Sequence, residues 1–322
     1  MNNDRIQEIL DLMEEARLDY FLISDPQSIA YCTGYYNDPH ERMFVFMISK
    51  HGNHTLFMND LFYLEHDLDV NIVWHKDGQD AIQTIVDEMH FPGRIGIDKN
   101  WASHFLLDLM KKLPDAKYIN ASPCVDLVRM KKDLQEQVLM IESSKINDAV
   151  MEEIIPFIQE GVTEKQLAKK LDELFFNHHS TCYGAIVAFG KNAADPHHEN
   201  DDTPLRKGDC VLIDMGCVYK GYCSDMTRTF FYEGILEEEI KVYEIVKKAN
   251  EAAEAMIKPG VKLSDIDKCA RKVISDEGYG KYFTHRLGHF IGRDVHEYGD
   301  VSSVNEMEVE EGMIFSIEPG IY

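Results

Sequence analysis

Residues 210–234 read CVLIDMGCVYKGYCSDMTRTFFYEG. VLIDMG has the texture of a buried strand carrying Asp214, and YCSDMTRTFFY that of a second strand carrying Asp225. Gly216 and the Lys220-Gly221 turn make the two strands hairpin partners. A carboxylate in an apolar strand is costly unless it is paired or bound to a cation. Two facing carboxylates also repel, and a cation between them removes that penalty. The competing reading has one Asp capping a turn and the other salt-bridged to Arg228.

A second anomaly of the same kind stands at 312–322, GMIFSIEPGIY, where Glu318 interrupts an apolar strand that Pro319-Gly320 ends. A buried Glu there asks for a cation, a proton-transfer role or a salt bridge to a distant Lys or Arg. Between the two lies HRLGHFIGRDVHEYG, residues 285–299, with His285, His289 and His296 among glycines and β-formers. Its histidines alone do not distinguish a metal clamp from a catalytic pair or ordinary surface residues. Asp, Asp, one His and Glu form an oxygen-rich set suited to hard or borderline divalent ions. Such a set can hold two cations about 3.5–4 Å apart around a water. It is unlike a closed structural zinc site, and the first His lacks the following Glu of the helical metalloprotease motif.

The rest of the chain sets limits. Its 322 residues suit two domains, and 44% hydrophobic with 28% charged residues is ordinary globular composition. A formal net charge of -24 argues against nucleic acid or an anionic membrane surface as partner. The amino terminus has helical spacing and mixed charge rather than a signal-peptide pattern, and no run approaches a membrane span of roughly 18 apolar residues. Seven scattered cysteines fit reduced thiols, and the expected location is the cytoplasm.

Along residues 1–127, helical and strand-like segments alternate. A helix with Ile6, Ile9, Leu10 and Met13 on one face precedes the strand YFLIS, and a helical turn runs through SIAYCTGY. MFVFMIS and HTLFMN read as paired strands; QDAIQTIVDEMHF and ASHFLLDLMKKL read as helices, RIGID and KYINAS as strands. This predicts a compact α/β domain. From Val128 the texture becomes one long charged helical region through Ile158, so the boundary is placed at 127/128. A repeat follows: AVMEEIIPFIQEGVTEKQLAKKL and, later, ANEAAEAMIKPGVKLSDIDKCARKVI are each helix, Gly-Val, polar stretch, helix. Gly161 and Gly260 read as helix stops, Thr163 and Ser264 as N-caps. A duplicated helix–helix–strand unit and a coincidence of common elements both fit this pattern.

The order of VLIDMGCVYKGYCSDMTRT, HRLGHFIGRDVHEYG and FSIEPGIY resembles the Xaa-Pro dipeptidases (prolidases) and aminopeptidases P of the pita-bread metallopeptidases. FGKNAADPHHEN, upstream, looks like another block of that family, and DPQSIAYCTGY resembles the start of its creatinase-type amino-terminal domain. The resemblance implies an α/β (α+β) chain, with a creatinase-like domain over 1–127 and a pita-bread catalytic domain over 128–322. It implies Asp214, Asp225, His289 and Glu318 as ligands of two divalent ions, manganese first, with cobalt or zinc as alternatives. It also implies His197 near the scissile bond, and His285 and His296 in substrate binding and transition-state support. His198 has no match. The implied reaction is hydrolysis before proline in Xaa-Pro dipeptides by a metal-bridging hydroxide, with Glu318 shuttling its proton, in a homodimer. Aminopeptidase P action on longer peptides is the enzyme rival, and a creatinase-like hydrolase without metal is disfavoured by the four retained ligands.

Two departures matter. The chain stops at Tyr322, whereas the family continues through a strand carrying a fifth ligand, so a truncated version of a full enzyme is expected, with a non-catalytic binding fragment as the rival. No Arg follows His296 closely, and Arg293 is expected to meet the substrate carboxylate instead. In the loop YYNDPHERM, Asp38, His40, Glu41 and Arg42 either line the entrance to a dimer mate's site or are simply solvated.

Overall fold

The computed structural model describes residues 1–65, 67–90 and 92–322. The chain divides into two compact units, Met1–Arg129 and Met130–Tyr322.

The first unit is a six-stranded sheet built from β1 (Tyr20–Ile23), β2 (Val45–Ser49), β3 (Thr55–Asn59), β4 (Asn71–His75), β5 (Arg94–Ile97) and β6 (Lys117–Asn120) in the order β4-β3-β2-β1-β5-β6. Helices α1 (Asn3–Glu15), α2 (Pro26–Thr33), α3 (Ala81–Glu88), α4 (Ser103–Lys112) and α5 (Ser122–Met130, its last residue in the second unit) accompany it. Phe21 and Ile23 pack with Ile6, Ile9, Met13 and Val125, while Tyr20 and Leu22 pack with Ile82, Ile85 and Leu109. Both faces of β1 are therefore covered, which explains its unbroken apolar run. The MFVFMIS and HTLFMN strands pair antiparallel as expected. The sequence reading passed over β4, which pairs parallel to β3 at the edge of the sheet and is only partly buried, so NIVWH shows no clean alternation. The helix expected to reach Phe91 ends at Glu88, and Phe91 itself lies outside the described residues.

The helix expected to run unbroken from Val128 is instead two. α5 stops at Met130, Lys131 forms an extended bridge with Met313, and α6 (Leu134–Ile154) starts behind a capping box in which Asp133 accepts from Gln135 and Glu136 N–H. An N-cap needs non-helical backbone, so Asp133 breaks the helix it begins. α7 (Glu164–Asn177) follows, capped by Thr163. Strands β7 (Thr181–Cys182), β8 (Ile186–Phe189), β9 (Cys210–Met215), β10 (Cys217–Tyr219), β11 (Tyr222–Cys223) and β12 (Met226–Phe231) form two three-stranded sheets, β12-β9-β8 and β11-β10-β7. α8 (Glu237–Glu254), α9 (Leu263–Asp276) and the pair β13 (Gly288–His289) and β14 (Asp300–Val301) complete the unit. Val150, Ile154, Leu167, Leu171 and Phe175 from the helices bury against Val187, Phe189, Val211 and Ile213.

The two helix pairs carry the same hydrogen-bond signature. Gly161 and Gly260 have φ of 84° and 85°; their N–H groups donate to Leu205 and Val309 carbonyls, and Leu205 and Val309 return bonds to Val162 and Val261. That agreement supports the duplication over coincidence. Ser264 is not an N-cap: α9 is capped at Lys262, and the Ser264 hydroxyl donates to Glu306 instead.

Candidate active site

β9 buries Val211, Ile213 and Met215 on one face, so Asp214 emerges on the other, opposite Thr227 of β12. Asp225 lies in the link just before β12 rather than within a strand. The hairpin pinches on the turn side of the two carboxylates, at Gly216 and Ser224. A Cβ on Gly216 would fall 1.9 Å from the Tyr183 hydroxyl and 2.2 Å from the Ser224 carbonyl, so this close approach requires glycine. The Tyr183 hydroxyl donates to that carbonyl at 2.7 Å. Tyr183 is a residue the sequence reading missed, because nothing in CYGAI signals a partner forty-one positions on.

His289 sits on β13, not on a helix, so its four-residue spacing from His285 has no structural meaning. Its Nδ1–H donates to the Phe290 carbonyl at 3.2 Å, which turns Nε2 toward Asp225 Oδ2 (3.3 Å) and Glu318 Oε1 (3.2 Å). The FSIE segment is not a regular strand. It runs beside residues 287–290 through bonds from Ser316 N–H to the His289 carbonyl and from Glu318 N–H to the Leu287 carbonyl. The Glu318 side chain is 38% exposed rather than buried, because this short ladder leaves its far side open. Ser316 Oγ donates to Glu318 Oε1 at 2.8 Å, leaving Oε2 uncommitted among the described contacts. The His296 ring stands edge-on to that of His289, with centroids 4.2 Å apart.

Burial, and after it the Asp225 charge, pushes Asp214 up to about 6 despite donation from Thr227. Burial works against charge on His289, but the bond to Asp225 and the Glu318 carboxylate outweigh it and raise its pKa. His296 is held below its usual value by burial, then by the His289 and Arg286 charges. Among the described residues no Lys or Arg pairs with Asp214, Asp225 or Glu318; Arg228 donates to the Thr227 carbonyl instead. Three carboxylates around one imidazole, with no basic side chain to neutralise them, is a donor set that fits divalent cations.

This electrostatic strain has a measurable sign. The folded-state pKa of Asp214 lies above its unfolded value, so the metal-free fold gains stability as pH falls through about 6. Between pH 7 and 5 the gain is about 1 kcal/mol. Urea midpoints of the EDTA-treated chain, read as the difference from Asp214→Asn, are expected to rise over that interval. A divalent cation held by these carboxylates would oppose the trend, since protons compete with it for the same oxygens.

His197 is exposed, on the loop after β8, and its charge reaches His296. The loop is tied down by its neighbour. His198 Nε2 donates to buried Glu164 at 2.6 Å, and Glu164 also accepts from Phe189 N–H, Asn192 Nδ2 and Asp201 N–H. Glu164, His198 and Asp201 bring ligand-type atoms within 4.8 Å of one another. Each Glu164 oxygen already accepts two hydrogen bonds, so this cluster is a structural knot rather than a second metal centre. His285 donates from Nδ1 to the Arg286 carbonyl and meets the Tyr322 hydroxyl through Nε2 at 3.0 Å. The Arg293 guanidinium lies 5.4 Å from the Tyr222 ring centroid and beside Gly221, at the turn between β10 and β11. In the first unit, Arg42 makes a two-pronged pair with Asp77 at 3.0 and 2.9 Å.

Residues 138–322 match metallopeptidase family M24, and residues 5–131 match the creatinase/prolidase N-terminal domain. The chain belongs to metallopeptidase family M24. Its M24 unit has the pita-bread fold, preceded by the creatinase-like α/β domain. An uncharacterized peptidase of Staphylococcus aureus is 34% identical over 99% of this chain and 92% of its own length. Prolidase from Thermococcus sibiricus superposes with a TM-score of 0.93 at 32% identity, covering 100% of this chain and 90% of that one. Xaa-Pro dipeptidase from Bacillus anthracis gives 0.91 at 28% identity, covering 99% and 90%. No helix among the described residues is long and apolar enough to cross a membrane.

Proposed function

We propose that this M24 chain is a cytoplasmic, homodimeric Xaa-Pro dipeptidase working with two divalent cations, manganese first. The observation that carries this reading is the unneutralised set Asp214, Asp225, His289 and Glu318, with His296 beside it. The likeness to solved prolidases supports proline as the leaving group.

When bound, the cations would supply Lewis acidity and a water acidified toward neutral pH. The chain's own residues do the rest. With Oε1 held by Ser316, Glu318 is assigned to take the proton of the attacking water on Oε2. His296, neutral near pH 7, donates to the carbonyl oxygen as charge gathers there. His197, carried on the loop that Glu164 fixes, is assigned to the leaving amine. His285 binds substrate with its ring held between the Arg286 carbonyl and Tyr322. Arg293 is assigned to the substrate carboxylate, a role that requires its side chain to leave the Tyr222 ring.

The test is hydrolysis of Ala-Pro, Ala-Pro-Gly and Ala-Ala by the full chain with manganese, cobalt or zinc, alongside metal counting. Turnover of Ala-Pro alone, with two ions per chain, is the expected result. Preference for the tripeptide moves the assignment to aminopeptidase P, and turnover in EDTA overturns the mechanism.

A further inference from the structure

Lys132 and Glu297 form an ion pair of 2.9 Å whose side chains are only 1% and 5% exposed. A pair buried this deeply gains little stability over apolar replacements of its size, so its placement points to another purpose. Glu297 directly follows His296. Its Oε1 accepts Arg293 N–H at 2.9 Å, and its own N–H donates to the Phe290 carbonyl at 2.9 Å. The carboxylate thus closes the loop 290–297 from inside. Gly292 leaves room for it, since a Cβ there would fall 2.7 Å from both carboxylate oxygens.

The ammonium end is anchored elsewhere in the site's framework. Lys132 N–H donates to the Gly312 carbonyl at 2.8 Å, and Lys131 bridges Met313. From there the chain runs to Ser316 and Glu318. One ion pair therefore spans the loop bearing His296 and the segment bearing Glu318.

We infer that Lys132 and Glu297 are positioning residues that set the His296 ring against that of His289, and so govern turnover rather than metal or substrate binding. This rests on the peptidase reading of the site. In Glu297→Asp the charge stays, but the carboxylate is withdrawn by one methylene. We expect kcat to fall about 30-fold, with KM and manganese content within about twofold. In the double variant Lys132→Met/Glu297→Gln both charges of this pair are removed together, and the amide oxygen still receives Arg293 N–H. Its unfolding temperature is expected to match the wild type while kcat stays at least about tenfold down.

Wild-type kcat in either variant, or a kcat that falls only in step with lost metal or a lowered unfolding temperature, overturns the inference. A wild type inactive on every Xaa-Pro dipeptide sinks the functional reading instead. The His296 ring ¹⁵N signals then decide: displacement in Glu297→Asp supports positioning, and unchanged signals overturn it.

Discussion

Asp225→Asn is expected to lose bound manganese and to lower kcat/KM for Ala-Pro by at least about 1,000-fold, the loss of about 4 kcal/mol of transition-state stabilisation. Asp225 is the residue on which the cluster turns. It faces His289 at 3.3 Å and, after burial, is the main cause of the raised pKa of Asp214. The substitution keeps the shape and removes the charge. Activity and metal should therefore vanish while the metal-free fold is no less stable, because a repulsion has gone. The Asp214 carboxyl, followed by ¹³C NMR in the apo chain, should titrate nearer its usual value. A variant that retains two ions and turns over within tenfold of wild type would remove Asp225 from the ligand set. A sharp loss of apo stability would show that its charge is a structural partner instead.

Glu164→Ala should produce the largest loss of stability, about 3–5 kcal/mol. The side chain is fully buried and each oxygen takes two donors, so truncation strands Phe189 N–H, the Asn192 amide, His198 and Asp201 N–H at once. Glu164→Gln retains acceptance at one oxygen but aims an amide N–H₂ at His198 and Asp201, and should fall between the two. Urea unfolding measures the loss. Because the same loop carries His197, KM for dipeptides should rise in whichever variant folds, while metal binding at Asp214 and Asp225 persists. A Glu164→Ala chain with the wild-type urea midpoint would show that water or neighbouring groups replace the carboxylate at no cost.

The local chemistry of the chain was legible from residue order. The apolar run around Asp214, the strand-like 226–231, the glycine at 216 and the turn at 220–221 mark a hairpin, and the folded register sets Asp214 opposite Thr227. Thr163 marks a helix start, and Gly161 and Gly260 mark stops, because backbone strain and capping depend on neighbours a few positions away. The motifs carried the family as well, since their order survives without knowledge of the fold. Tertiary structure decided what depends on remote partners. Asp133 reads as one more charge in a helical run, and it becomes a break where the preceding Lys131 is held in an extended bridge to Met313. Glu318 reads as buried, and only its short ladder with residues 287–290 shows how much of it remains open. Glu164 and the Lys132–Glu297 pair were invisible in the residue order. A carboxylate's donors and an ammonium's counter-charge can lie 165 positions apart, and burial alone turns that contact into an obligation.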